Sequence, residues 1–436
     1  MIDDYPAAIA LIHGRHKWQK TNTFARIAAL LAQLGNPQKG LKYIHITGTN
    51  GKGSVAKMTA SMLQAHGLNV GLFTSPFIMR FNERIQINGE PIPDATLTRI
   101  MQRIEPILQQ MDATFTDGGP TEFETLTAAM FVYFSEQDVD VVVLEVGIGG
   151  TWDTTNIIKD KLVSVITTIG LDHQKILGQT MPEIAEQKAG IIHKNRPTII
   201  GKLPEAAQAV IQQAAGELFV LGQDFSSSNG QIQRPWGQSF DFSDRYGEIA
   251  DIFLDLMGDY QQDNAAVAIE TVWVVMQALG RSINVANMRE ALTTVQWPAR
   301  FEKVSVQPLI VLDGAHNPAG IAALSSTLQT HFSNRTIYLM VGVLADKNYP
   351  LMLHELAQIS GVKLSVVGFQ APNQRESIDP HQIQIDFPEL KVTTFDDWHI
   401  GVQTIISEMD LAQDMIVVSG SLYFVSEIRT WLMQKK

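Results

Sequence analysis

The sequence predicts an α/β protein built from two doubly wound domains. Three observations lead there. Several apolar runs, among them VDVVVLEVG at 139–147 and TIYLMVGV at 336–343, are near-continuous Val/Ile/Leu stretches, as strands of a parallel sheet covered on both faces require. Longer segments of helical period separate these runs, so strand and helix alternate. The pattern then restarts after QWPARFEKV at 296–304, where Pro298 interrupts and a helix that includes Met288 and Leu292 has ended. That break divides the 436 residues into domains at 1–297 and 298–436.

In chain order, strands are expected at 43–47, 139–147, 162–170 and 197–201, then at 309–314, 336–343, 363–369 and 415–420. Helices are expected at about 52–66, 94–110, 122–137, 204–215, 260–280 and 285–294, then at 317–331, 349–360 and 421–434. Residues 222–256 break the alternation. They are rich in Ser, Gln, Asp and Gly, and QSFDFSD alternates apolar with polar, so a small antiparallel insertion is expected there.

Composition narrows the function. The chain has no cysteine, which excludes a disulfide framework, Cys-ligated zinc, iron–sulfur clusters and a thiol nucleophile. Lysine and arginine total 33 against 45 aspartates and glutamates, a net charge of −12, which argues against a nucleic-acid coat protein. The opening MIDDYPAAIA lacks the basic start and apolar run of a signal peptide. No uncharged apolar run reaches the length of about 18 residues that a membrane span needs. A cytoplasmic protein without membrane contact is expected.

The clearest chemical signal is YIHITGTNGKGSVAKMTASML at 43–63, which reads as strand, glycine-rich loop and helix. Gly48, Gly51 and Gly53 let backbone N–H groups approach an anion. Thr49, Asn50 and Lys52 line the same loop, and the helix points its positive end at the spot. Ser54 is placed to hold a magnesium ion. This is the mechanics of a nucleotide triphosphate loop, although Ile46 stands where the common G-x-x-x-x-G-K-[ST] form has its first glycine and Gly53 separates Lys52 from Ser54. Glu145 ends an apolar strand, where open α/β sheets bind ligands, and its carboxylate suits magnesium. Asp313 and His316 stand together where the strand at 309–314 ends, and Asn317 with Pro318 suits the start of the next helix. By residue type alone, His173 is a lone histidine after a strand and Lys188 an ordinary helix-end lysine. GIGG at 147–150 is not a dinucleotide fingerprint, because Trp152 occupies the third glycine position. The histidines show no H-E-x-x-H zinc spacing.

GTNGKGS resembles the ATP loop of the Mur ligase superfamily, and within it the folylpolyglutamate synthase/dihydrofolate synthase family. TSPFIMRFNERIQINGEPI (74–92), LEVGIGGTWDTTNII (144–158) and GLDHQKILGQTMPEIAEQKAGII (170–192) resemble further motifs of that family, as do WPARFE, DGAHNPAG, GVLADKN and SGSLYFVSEIR in the second domain. The resemblance implies a P-loop-type ATPase domain with a mainly parallel sheet and a small β insertion, followed by a Rossmann-like glutamate-ligase domain. It implies ATP-dependent addition of L-glutamate to the tail carboxylate of reduced folates through an acyl phosphate, in a monomeric chain.

The resemblance also assigns residues. Lys52 and Arg300 would reach ATP phosphate, Asn264 would lie near the adenine, and Asp313 would belong to both the nucleotide and the catalytic set. Ser54, Glu145, His173 and Lys188 would hold magnesium, with Lys188 carbamylated by carbon dioxide and Asp172 orienting His173. A potassium ion is admitted as well. Asp313 and His316 would bind or deprotonate the incoming amine. Ser75, Phe77, Phe81 and Arg84 would face the folate, the two phenylalanines either stacking on the pterin or packing the loop. Three departures from the family spelling concern substrate preference: Phe77 for a frequent His, Thr151 and Trp152 for Arg-Leu, and GDYQ for G-x-H-Q. Three rivals stand beside the main reading. One is a bifunctional enzyme that also makes dihydrofolate from dihydropteroate, and another a cell-wall Mur ligase taking a UDP-sugar. The third is an ATPase switch without ligase activity.

Overall fold

The computed structural model describes residues 2–17, 21–233, 236–371 and 375–434. All five residues of YIHIT are buried and form β1 (Tyr43–Thr47), one of the central strands of an eight-stranded sheet. The other strands are β2 (Val70–Phe73), β3 (Ile85–Ile87), β4 (Glu90–Pro91), β5 (Val141–Glu145), β6 (Lys161–Ile166), β7 (Thr198–Ile200) and β8 (Leu218–Val220). Their order is β4-β3-β2-β5-β1-β6-β7-β8. β2, β5, β1, β6, β7 and β8 pair in parallel, while β3 and β4 add an antiparallel edge. β1 and β5 carry no exposed residue, which explains their unbroken apolar sequences.

Two expected strands are shorter than their apolar runs. The run at 139–147 yields β5 and then turns through the glycines of GIGG. The run at 162–170 stops at Ile166, because Thr167, Thr168 and Gly170 use their polar groups on the loop that follows β1. Helices outside the expected ranges include Tyr5–His13, Ala25–Gln33 and Met181–Ala189. The first is locally signalled by Asp4, whose side chain caps it, and the third by the Thr180/Glu183 capping box with Pro182 in its first turn. The first two pack in the large cluster that buries Ile12, Leu30, Phe131 and Phe134.

The expected insertion is a three-stranded sheet of β9 (Ser226–Ile232), β10 (Gln238–Asp244) and β11 (Gly247–Leu254). The second main sheet contains β12 (Glu302–Val306), β13 (Leu309–Leu312), β14 (Ile337–Gly342), β15 (Val362–Val367), β16 (Thr393–Phe395) and β17 (Met415–Gly420), in the order β12-β13-β17-β14-β15-β16. It is parallel except for the β12 edge. The chain divides into two units. One holds Met1–Ser228, Asp241–Ile252 and Asp263–Thr294, and the other holds Asn229–Phe240, Phe253–Gln262 and Val295–Lys436. The early segments belong to the second unit because their aromatics pack there. Trp236 stacks on Phe301 with ring centroids 5.9 Å apart and lies 6.2 Å from Phe332, and Met257 joins the same core.

Candidate active site

β1 ends at Thr47, and the loop that follows is pinned from the β6 side. Thr49 N donates to Thr168 O at 2.8 Å, and Asn50 N donates to Thr168 Oγ1 at 2.9 Å. Thr167 and Thr168 hydroxyls both donate to Asn50 O, at 2.5 and 3.0 Å. Gly51 has φ +84°, a left-handed conformation, and a Cβ there would come within 2.5 Å of Asn264 Oδ1. Only glycine suits that position, and Asn264 is thereby placed against the loop. Lys52 begins the helix Lys52–Ala65, and its Nζ donates back to Gly48 O at 2.9 Å and Thr49 O at 3.1 Å. The lysine therefore arches over the loop at a helix N-terminus, the arrangement that attracts an anion. Ser54 lies buried in the first turn of the same helix.

Glu145 ends β5, beside β1, where Ile46 is its register partner, and it is buried. Its Oε2 accepts from Ser75 N at 3.2 Å, which ties the loop after β2 to the strand end. That loop is ordered by Glu83, whose carboxylate accepts from the backbone of Ile78, Met79 and Arg80. The Arg84 guanidinium lies 5.2 Å from the Phe77 ring centre and 5.5 Å from that of Phe81, and the two rings are 5.8 Å apart. Phe81 is buried in the main core, with His13 edge-on at 5.4 Å, so of the two aromatics only Phe77 keeps appreciable exposed surface.

Lys188 lies in the last turn of Met181–Ala189 and is 2 % exposed. Burial pulls its amine down to about 7, the Lys52 charge pulls the same way, and the Asp172 and Asp153 carboxylates oppose both. Lys52, Lys188 and Asp172 thus share one electrostatic neighbourhood. His173 has left-handed backbone (φ 50°) and remains largely exposed. Asp172 stands 4.0 Å from its Nε2, too long for the hydrogen bond expected between the two side chains, and instead accepts from His173 N at 2.9 Å.

Asp153 received no role from the sequence. It is buried, its carboxyl is raised by that burial, and it accepts from Ile148 N at 2.9 Å and Thr155 N at 3.0 Å. It therefore shapes the turn between Glu145 and the contacts to the Lys188 helix. The available signal was Asp two residues before Thr, a local Asx-turn pattern.

In the second unit Asp313 follows β13 and is buried, and its oxygens are taken by the protein itself. Oδ2 accepts from Phe301 N and Oδ1 from Ala315 N, both at 2.9 Å, and Tyr260 hydrogen-bonds to the same carboxylate. Burial raises the Asp313 carboxyl, and the Arg300 guanidinium opposes that. This geometry makes Asp313 a staple for the turn of Arg300 and Phe301. Ala299 and Phe301 on that turn both have left-handed backbone. Arg300 and His316 are half-buried. His316 Nδ1 donates to Gly314 O at 2.7 Å, which fixes the orientation of the ring. Tyr260, the third letter of the unusual GDYQ, was the missed partner.

A glycine-rich loop thus closes a buried strand, a carboxylate ends the next strand, and a buried lysine lies nearby, in a chain whose two domain matches are those of ATP-dependent ligases. Residues 46–272 match the Mur ligase middle domain and residues 299–422 the Mur ligase glutamate ligase domain. The chain is 42% identical over 439 aligned residues to folylpolyglutamate synthase of Lacticaseibacillus casei, covering 99% of this chain and 100% of the relative. It is 36% identical to dihydrofolate synthase/folylpolyglutamate synthase of Bacillus subtilis, covering 98% and 99%. A solved FPGS–AMPPCP–folate complex superposes with TM-score 0.88 at 40% identity over 99% of this chain and 100% of that one. Mycobacterium tuberculosis folylpolyglutamate synthase complexed with ADP gives 0.88 at 31%, over 98% and 99%. The chain belongs to the folylpolyglutamate synthase/dihydrofolate synthase family of Mur ligases.

Proposed function

We propose that this protein adds L-glutamate to the tail carboxylate of a reduced folate, using ATP. The observation that carries the reading is the end-to-end likeness to a folylpolyglutamate synthase, in a chain that keeps the geometry of a phosphate loop at Gly51 and Lys52. A folate carboxylate oxygen attacks the γ-phosphorus of ATP, and the bond to ADP breaks. The amine of glutamate then attacks the acyl carbon, phosphate leaves, and the nitrogen gives up its proton. The first domain would handle the nucleotide and the second the incoming glutamate.

Lys52 and the N-terminus of its helix hold the transferring phosphoryl group, and Asn264 lies against the nucleotide. Arg300 binds phosphate, positioned by Asp313 and Tyr260. His316 Nε2 takes the amine proton. Ser75, Phe77 and Arg84 line the folate side, with Phe81 supporting them from the core. Among the described residues no group of three or more His, Asp or Glu side chains could hold a metal. Magnesium needs no such cage, since it is commonly held by one or two carboxylates with substrate phosphates. The hard oxygens of Ser54 and Glu145 suit it, and a carbamate on Lys188, with His173, would complete the set. When bound, magnesium supplies charge neutralisation at the phosphates. The Lys188 amine, half deprotonated near neutral pH, is poised to attack carbon dioxide, forming an N–C bond and releasing one proton. No helix among the described residues is long and apolar enough to cross a membrane, and we place the protein in the cytoplasm as a monomer.

The name of the B. subtilis relative carries a second activity, dihydrofolate synthesis. Purified protein given ATP and glutamate with either tetrahydrofolate or dihydropteroate tests both. Gain of a glutamyl unit by tetrahydrofolate alone supports the synthase reading, and gain by both supports the bifunctional one. Gain by neither, with turnover on a UDP-muramoyl substrate, refutes the folate assignment.

A further inference from the structure

Lys161, the first residue of β6, is fully buried. A lysine is almost never taken out of water without partners for its amine. Here Nζ donates to Asn156 Oδ1 at 2.7 Å and to Ile191 O at 2.8 Å. Ser164 donates to the same Ile191 carbonyl at 2.8 Å. Residues three apart on a regular strand face opposite ways. β6 is not regular: Tyr43 pairs with Lys161 but Ile44 pairs with Val163, so Leu162 is an extra residue. That bulge puts Lys161 and Ser164 on one face.

The other carbonyls around Lys188 are held from the same segment of chain. Asn156 Nδ2 donates to Gly190 O at 3.0 Å, so its amide bridges that carbonyl to the Lys161 amine. Thr151 N and Oγ1 donate to Gln187 O at 2.8 and 3.1 Å. A Cβ on Gly190 would run into Thr151, and one on Gly150 would lie 2.6 Å from Gln187 O. The last carbonyls of a helix have no partner within it, and a cation there meets the negative end of the helix dipole. Residues 187, 190 and 191 bracket Lys188, and each is clamped by the chain between β5 and β7.

We propose that Lys161 is a positioning residue for the ligase reaction: with Asn156 and Ser164 it holds the turn after the Met181–Ala189 helix and so fixes where the Lys188 amine stands. The proposal rests on the ligase reading. Lys161→Met keeps the length and apolar stem and removes the donor. In the full-length protein, kcat for glutamate-dependent ADP release is expected to fall about tenfold, with KM for ATP and folate changed less than about twofold. The carbon-13 signal of a lysine carbamate formed in labelled bicarbonate should weaken in step. A merely structural residue would lower the fraction of folded protein without this split. Ser164→Ala removes the second donor and leaves no charge to rebalance, and it carries the test if Lys161→Met does not fold. Its kcat should fall about threefold with KM unchanged. A folded variant with wild-type kcat and an undiminished carbamate signal overturns the proposal. If the wild-type chain shows no glutamate-dependent turnover, the ligase reading fails, and the carbamate signal alone decides whether Lys161 positions Lys188.

Discussion

The two sides of the last turn of the Met181–Ala189 helix each bury a lysine, and they use it in opposite ways. Burial pulls both amines to about 7. Lys161 delivers its hydrogens to two oxygens, at 2.7 and 2.8 Å. The Lys188 amine makes no hydrogen bond among the described residues, and its surroundings are the charges of Lys52, Asp172 and Asp153. The same loss of basicity therefore accompanies a strut on one side and the proposed carbamylation site on the other. A depressed lysine marks burial. The presence or absence of acceptors separates structure from chemistry.

The largest expected effect falls on the reactive side. Lys52→Met removes the charge proposed to bind phosphate, and glutamate-dependent turnover should drop about a thousandfold. It also removes a charge that holds Lys188 low, so the Lys188 amine should become more basic, measurable by its titration in the variant. Lys188→Met should lower kcat about a hundredfold yet leave the protein more stable, because an amine without acceptors leaves the interior. Urea unfolding in carbon-dioxide-free buffer checks this, and a loss of stability would erase the contrast with Lys161.

The pH dependence sharpens the same point. Below about 7 the amines are protonated both folded and unfolded, and the burial penalty is complete. Between about 7 and 10.5 the unfolded amines keep protons that the folded ones have lost, so stability rises with pH. Each lysine should contribute a slope of about 1.4 kcal/mol per pH unit in that window. Lys188→Met should remove one such slope, read from unfolding at about pH 8 and about pH 9.5, both inside that window. The smallest effect lies away from both lysines. Phe77→Ala should raise KM for folate about threefold and leave kcat and the pH slope alone, measured by steady-state kinetics.

The sequence made the reactive side far more legible than the clamp. β1, its glycine loop and the helix from Lys52 could be read directly, because apolar strand, glycines and lysine are contiguous and each has a local physical reason. Glu145 was readable as the end of an apolar run. The clamp was not, because Lys161 reaches Ile191 only through a bulge that no local pattern announces, and the contact joins residues 30 apart. Asp313 was found, but its burial and its Tyr260 partner depend on tertiary packing, so its positioning role could not be seen. Phe77 and Phe81 looked alike in sequence and parted only when the core claimed Phe81.

Coupling of ATP cleavage to glutamate addition distinguishes a ligase from an ATPase. ADP release by the purified chain should be negligible with ATP alone and rise only when L-glutamate and a reduced folate are both present, with one glutamyl unit added per ADP formed. Equal ADP release without glutamate or without folate would contradict that coupling, and would leave an ATPase in place of a ligase.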